Sequence, residues 1–490
     1  MKGLCMFKEE LLEKPKRIKL NILKKIYLNN GKISKSDLCN NLNISFPTLR
    51  SYIKEIEFLL KSNNYENTHI ICTKNYILLK SDKNFDLDKL TSILIQDSLK
   101  FKLLKYLFEK NSLPLSTVKI CNELNISKST LNKNIIECNN ILNNFDICIK
   151  NFKFIGSPIQ ITYFFYLLFI NTRVISNDES LLFNKLVNFF YEKFGIYLNS
   201  KQKYLLNVWL FTINNGFSFF KKDYKFIKYH KENLKILNNN PFFLELIKFF
   251  EQIYLNKNLD KCLAYVTTCF LLSFNILPTD FIYKNYGFKD SKSYKIYNLI
   301  INEINELYVQ PIHINNILKQ NILSICYRFY FFKGIFYSND YITREYYLNK
   351  FSNHSRIKFV ENLLLKLHNL DGYNKSNDEF FKLVIIITLS YINGKTKNTI
   401  NIGILSYNED FVLIPKIIRL NDYLRKKFDI NIEIYNKNKN YDLVISNIIS
   451  NSDKLSNNYR KTYFFTNLDG EYDLNNIVEI LNEIDNSVRY

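Results

Sequence analysis

The chain has 490 residues, 47% hydrophobic and 23% charged, with 41 Phe and 35 Tyr but only 11 Gly and 8 Pro. This length exceeds one ordinary core, the composition excludes a mainly disordered chain, and the scarcity of turn residues argues for helices over an all-β fold. The formal charge is +21; residues 1–160 hold 26 Lys and Arg against 15 Asp and Glu, a local +11, and a basic end of this kind suits a polyanionic partner.

The nine cysteines are Cys5, Cys39, Cys72, Cys121, Cys138, Cys148, Cys262, Cys269 and Cys326. They are odd in number and form no CxxC pair, so reduced thiols in a cytoplasmic protein are expected, with neither a disulfide framework nor a metal site. The N-terminus lacks a basic-then-apolar leader pattern. The longest apolar runs, ITYFFYLLFI from Ile161 and LVIIITL from Leu383, are shorter than the roughly 20 residues of a membrane span and read as buried helices.

In chain order, the first predicted helix carries Ile22, Leu23, Ile26 and Tyr27, and the second carries Leu38 and Leu42 after a capping Ser34. The connector LNIS follows, with Ser45 placed to cap a third helix whose apolar stripe is Leu49, Ile53, Ile56 and Leu60. IICTKNYILLK, from Ile70 to Lys80, then reads as a hairpin with Lys74-Asn75 at its tip.

The same pattern returns at an offset of 82. Ile33–Leu60 and Leu115–Leu142 share 12 of 28 residues: Ser34, Cys39, Asn40, Leu42, Asn43, Ile44, Ser45, Thr48, Leu49, Ile53, Glu55 and Leu60 have identical counterparts. The second copy has a first helix with Leu103, Leu104, Leu107 and Phe108, a second with Ile120 and Leu124 behind Ser116, and again LNIS, ending in Ser127. Its third helix is striped by Leu131, Ile135, Cys138 and Leu142, and ICIKNFKFIG, from Ile147 to Gly156, supplies a second hairpin with Lys150-Asn151 at its tip. Two winged helix-turn-helix units are the economical reading.

Opposite the core stripe the first copy offers Phe46, Pro47, Thr48, Arg50, Ser51 and Lys54, and the second Lys128, Ser129, Asn132 and Lys133. Arg50 suits bidentate contact with guanine and Asn132 with adenine, while the serines and most lysines suit phosphate. Lys74, Lys150 and Lys153 on the wings would add backbone contacts. Double-stranded DNA is the partner these groups fit.

Residues 163–393 read as apolar helices, among them Leu181–Phe194, Lys203–Phe217, Phe243–Leu255, Lys261–Phe274, Tyr294–Val309, Ile317–Phe332, Ile357–Leu370 and Asp378–Ile392. GFKDSKS, at Gly287–Ser293, splits them into two bundles. Beyond Asn398 come strand, helix, strand, strand, strand, helix, a small α/β domain with a mainly parallel sheet. Its first loop, SYNEDF from Ser406, has no Gly-rich phosphate cradle, and no cofactor is expected. The fold class is thus mainly α, with domains at 1–82 and 83–160 (winged helix-turn-helix), 161–288 and 289–396 (bundles) and 397–490 (α/β).

This order of parts resembles the Mga/AtxA class of virulence regulators of low-GC Gram-positive bacteria, most sharply over the first 160 residues. The resemblance implies that the bundles are phosphotransferase-regulation domains (PRD), that the tail is like enzyme IIB of the sugar phosphotransferase system, and that the chain is a non-enzymatic transcription activator acting as a homodimer or higher homo-oligomer, with the phosphocarrier protein as a further partner and no membrane contact. It departs from that pattern in two places. The IIB-type phosphate acceptor is a Cys after the first strand; here that loop begins with Ser406, and no Cys follows Cys326. The segments matching the usual phosphorylation sites present Phe217 and Asn321 in place of His, which leaves His230, His354 and His368 as candidates. A phosphotransferase relay protein and a scaffold using its helix-turn-helix units for protein contacts are the alternatives.

Overall fold

The structure is a computed structural model that describes residues 5–82, 85–174, 180–222, 230, 234–235, 237–254, 257–278, 281, 291–306, 316–337, 355–370, 373, 378, 381–382, 384–386, 388, 400–407, 409–425, 428, 430–448, 458–468 and 470–488. The fold is mainly helical, with a small strand-containing region at the C-terminus.

Strand β1 (Cys5–Phe7) is followed by α1 (Lys14–Leu28), β2 (Lys32–Ser34), α2 (Lys35–Leu42), α3 (Phe46–Ser62) and the hairpin β3 (His69–Cys72) and β4 (Tyr76–Lys80). β2 joins the hairpin in an antiparallel sheet ordered β2-β4-β3. Next come α4 (Leu87–Gln96), α5 (Leu99–Glu109), α6 (Thr117–Leu124), α7 (Lys128–Leu142) and the two-stranded wing β5 (Cys148–Lys150) and β6 (Lys153–Ile155). The middle holds α8 (Pro158–Thr172), α9 (Leu181–Phe194), α10 (Ser200–Asn215), α11 (Phe217–Lys222), α12 (Pro241–Tyr254), α13 (Lys257–Ser273), α14 (Lys292–Glu306), α15 (Asn316–Phe331), β7 (Ile335–Tyr337) and α16 (Ser355–His368). The end is β8 (Ile400–Leu405), α17 (Asp410–Leu424), β9 (Ile430–Ile434), β10 (Tyr441–Ser446), β11 (Tyr459–Phe464) and α18 (Glu471–Val488).

The chain divides into two compact units, Met1–Leu11 with Leu99–Ile392, and Leu12–Ser98 with Asn393–Tyr490. The first, the bundle unit, is organised around α8, which is buried on all sides from Pro158 to Phe169, as its unbroken apolar run requires. Gln160 donates to the carbonyls of Phe145 and Lys333 at 3.0 and 3.1 Å, and the Tyr163 hydroxyl donates to Gly334 O at 3.0 Å. Trp209 stacks on Phe270 with centroids 4.5 Å apart, and β1 pairs in parallel with β7. Neither short strand of that pair is legible in the sequence, because three residues carry no period. Of the predicted break at 287–293, residues 287–290 lie outside the described residues.

The second, the tail unit, joins α1–α4 and their sheet to the C-terminal α/β region. The C-terminal sheet has the order β11-β10-β8-β9, every pairing parallel, as the strand and helix sequence suggested. Its core holds Ile402, Ile404, Leu413, Leu420, Ile430, Leu443, Ile445, Leu474, Ile477 and Leu481. The sheet region meets α1 at Tyr27, whose ring centroid lies 5.2 Å from that of Tyr472. The Tyr472 hydroxyl donates to Ser81 O at 3.2 Å, and Leu87 N–H donates to Thr466 Oγ1 at 3.3 Å. Among the described residues no helix is long and apolar enough to cross a membrane.

Candidate nucleic-acid interface

The repeated connector has a structural reason for each letter. Asn43 and Asn125 sit in the left-handed region, φ 50° and 52°, which Asn tolerates better than most side chains. Ile44 N–H then reaches back to Cys39 O at 3.1 Å and Ile126 N–H to Cys121 O at 2.9 Å, closing α2 and α6 with the same pair of reversed bonds. Ser45 Oγ accepts from Thr48 N–H at 3.3 Å and Ser127 Oγ from Thr130 N–H at 3.2 Å, which starts α3 and α7. Ser34 and Ser116 cap α2 and α6 in the same way.

Both third helices bury the expected stripe. Leu49, Ile53, Ile56 and Leu60 are at most 5% exposed, and Leu131, Cys138 and Leu142 are fully buried, while Ile135 is half-buried. The opposite face is open: Phe46, Pro47, Arg50, Ser51 and Lys54 on α3 are exposed and Thr48 is half-buried, and Lys128, Ser129, Asn132 and Lys133 on α7 are exposed. Lys74 lies in the β3–β4 turn, and Lys150 and Lys153 flank the β5–β6 turn, all three exposed.

An ion pair joins the first and third helix in each copy. Lys19 Nζ lies 2.8 Å from Glu55 Oε2, and Lys100 Nζ lies 2.9 Å from Glu137 Oε2. Lys19 and Lys100 are the equivalent residues of α1 and α5, and Glu55 and Glu137 those of α3 and α7. The pair offsets the carboxylate's charge on the third helix of each copy. Glu55 is held below the usual carboxylate range, chiefly by its hydrogen bond from Lys19. Ser51 also donates to Glu55, at 3.3 Å, so its hydroxyl is partly engaged within the helix.

Sequence reasoning did not single out Lys35. Burial pushes the Cys72 thiol up, and among the charges acting on it Lys35 and Arg50 oppose that rise while Glu57 adds to it. β2 and its pairing with β4 bring Lys35 there, and no periodicity announces a three-residue strand.

The histidine candidates separate. His368 Nε2 lies 2.7 Å from Asp378 Oδ2, and Tyr373 donates its hydroxyl to Asp378 Oδ1 at 2.9 Å. His230 Nδ1 lies 3.2 Å from the Tyr265 hydroxyl. His354 lies outside the described residues. Phe217 opens α11, and Asn321 is buried on α15, accepting from Asn275 at 2.6 Å. Ser406 is buried after β8, and Tyr407 N–H donates to Asn447 Oδ1 at 3.0 Å. Among the described residues no group of His, Cys, Asp and Glu is arranged to hold a metal.

Two capped helices in tandem, each with an exposed polar and cationic face and a wing, form a helix-turn-helix built twice. Residues 83–169 match the family model of the Mga helix-turn-helix domain. The matched segment runs from α4 through the second unit and into α8. It is similar to a DNA-binding module of transcription regulators, in keeping with the geometry of α6 and α7. No curated protein matches the chain with significant similarity.

Proposed function

We propose that the chain is a cytoplasmic transcription activator that binds double-stranded DNA through both helix-turn-helix units and works as a homodimer or higher homo-oligomer. The observation that carries this reading is the pair of exposed faces on α3 and α7, mounted on one duplicated scaffold, the second inside the segment that matches the Mga helix-turn-helix domain. The resemblance set out above adds activation of virulence or sugar-responsive genes, self-association through the C-terminal half, regulation-domain bundles answering to a phosphocarrier protein, and an IIB-like tail without its acceptor Cys. His230, His354 and His368 are the residues proposed to take phosphate.

The test is a titration of labelled duplex DNA with the full chain over a range of salt. Lys54, Lys74, Lys128, Lys133, Lys150 and Lys153 on phosphates predict that log affinity falls against log salt with a slope of about −5 per chain. A flat response, or no binding at low salt, favours the scaffold reading. A monomeric mass at micromolar concentration contradicts self-association.

A further inference from the structure

Phe46 is 57% exposed at the first position of α3, while the helix's apolar stripe, Leu49, Ile53, Ile56 and Leu60, is buried. The core does not need it. The polar groups around it are already engaged: Ser45 Oγ holds Thr48 N–H and lies 2.8 Å from Thr48 Oγ1, and Pro47 has no N–H to give. The first turn of α3 therefore presents a phenyl and a pyrrolidine ring, with little to donate or accept.

The next turns on the same face are cationic, Arg50 and Lys54 following at i+4 and i+8, before the exposed Phe58 at i+12. An apolar tip set among cations suits an anionic partner that itself carries an apolar group. In the major groove that group is the 5-methyl of thymine, the apolar feature of the base edges. The equivalent turn of α7 is the opposite, Lys128 and Ser129, both exposed.

With double-stranded DNA as the partner, as proposed above, the geometry points to thymine as the base read by Phe46, in a step that also places a guanine for Arg50. Four residues of helix advance about 6 Å, close to two base-pair steps of about 3.4 Å each. The first unit thus selects a thymine about two base pairs from a guanine, while α7 holds phosphate at its first turn.

The experiment uses the full chain and a duplex that it selects from a random pool. Each thymine of that duplex is replaced in turn by uracil, which keeps the pairing and removes only the methyl. Wild-type protein should lose about three- to fivefold in affinity at one or two thymines, the worth of a buried methyl group. In Phe46→Ala the thymine and uracil duplexes should bind alike, with unchanged helical content, because Phe46 lies outside the core. Tight binding of both duplexes within about 1.5-fold by the wild type overturns the thymine assignment and leaves DNA binding standing. A uracil effect that persists in Phe46→Ala assigns the methyl to another residue and also overturns it. Selection of no duplex at low salt overturns DNA binding itself, and the thymine assignment with it.

Discussion

Tyr27 and Phe108 occupy equivalent places on α1 and α5, and each fastens its helix-turn-helix unit to a different neighbour. Phe108 is fully buried and stacks on Phe165 with centroids 3.9 Å apart, with Phe169 and Phe219 at 5.9 Å, so its own contact with the helical bundle is apolar, beside the polar ties from Gln160 to Phe145 O and from Lys333 to Asp146. Tyr27 is 2% exposed and packs on Tyr472, and its hydroxyl binds the buried carboxylate of Asp473. Asp473 also accepts from the Tyr463 hydroxyl and from the N–H groups of Thr466 and Asn467 at 3.1 and 2.7 Å. One oxygen atom separates the two side chains, and it changes the physics of the joint. The contact at Phe108 rests on dispersion and area, the contact at Tyr27 on a titratable network in the C-terminal region.

Phe108→Ala should have the largest effect. A fully buried phenyl in an aromatic cluster costs about 3–5 kcal/mol to remove. Hydrogen exchange should show α5–α7 losing protection while α1–α3 keep theirs. Equal loss in both would erase the distinction between the joints.

The second prediction concerns pH. Burial raises Asp473 from the usual 3.8 to about 6. A raised folded value means the fold favours the protonated acid. The stabilisation is complete below the unfolded value and is lost as pH rises through about 6, a change on the order of 3 kcal/mol. The tail unit should therefore lose stability between pH 4 and pH 7, Asp473→Asn should flatten that part of the profile, and the Phe108 joint should show no such dependence. A wild-type profile identical to that of Asp473→Asn would remove the titratable network from the account.

The smallest effect should be the most alike in the two units. Asn43→Ala and Asn125→Ala each place a less tolerant residue at positive φ, at a cost of about 1 kcal/mol. Matching shifts in thermal or denaturant midpoint are expected for each unit; a large cost in one alone would show that the shared connector is not one scaffold used twice.

How much of this was legible follows from what leaves a period in the sequence. Helix α9 runs from Leu181 to Phe194, the span its apolar run predicts, with Ser180 capping it and Gly195, at φ 63°, ending it. The open faces of α3 and α7 were legible as the complement of an apolar stripe. The Lys19–Glu55 and Lys100–Glu137 pairs were not, since Glu55 counted only as an identity until α1 brought Lys19 to it. The discontinuous units were invisible for a related reason. Tyr27 and Tyr472 meet across more than four hundred residues of chain, and such a contact leaves no local signal. Helix α4, capped by Asp86, lies between the two copies of the repeat and has no counterpart that would mark it in the sequence.

The central claim is that the shared residues of the repeat are scaffold and the differing exposed ones are readout. It is tested most directly by giving α3 the exposed residues of α7: Phe46→Lys, Pro47→Ser, Arg50→Asn and Ser51→Lys together, leaving Thr48 and Leu49, which the copies already share. The sequences that this variant and the wild type select from a random duplex pool are then compared, with hydrogen exchange of α1–α3 as the check on folding. The account predicts unchanged protection and a changed motif in the half of the site read by the first unit. An unchanged motif, or loss of protection in α1–α3, would contradict it.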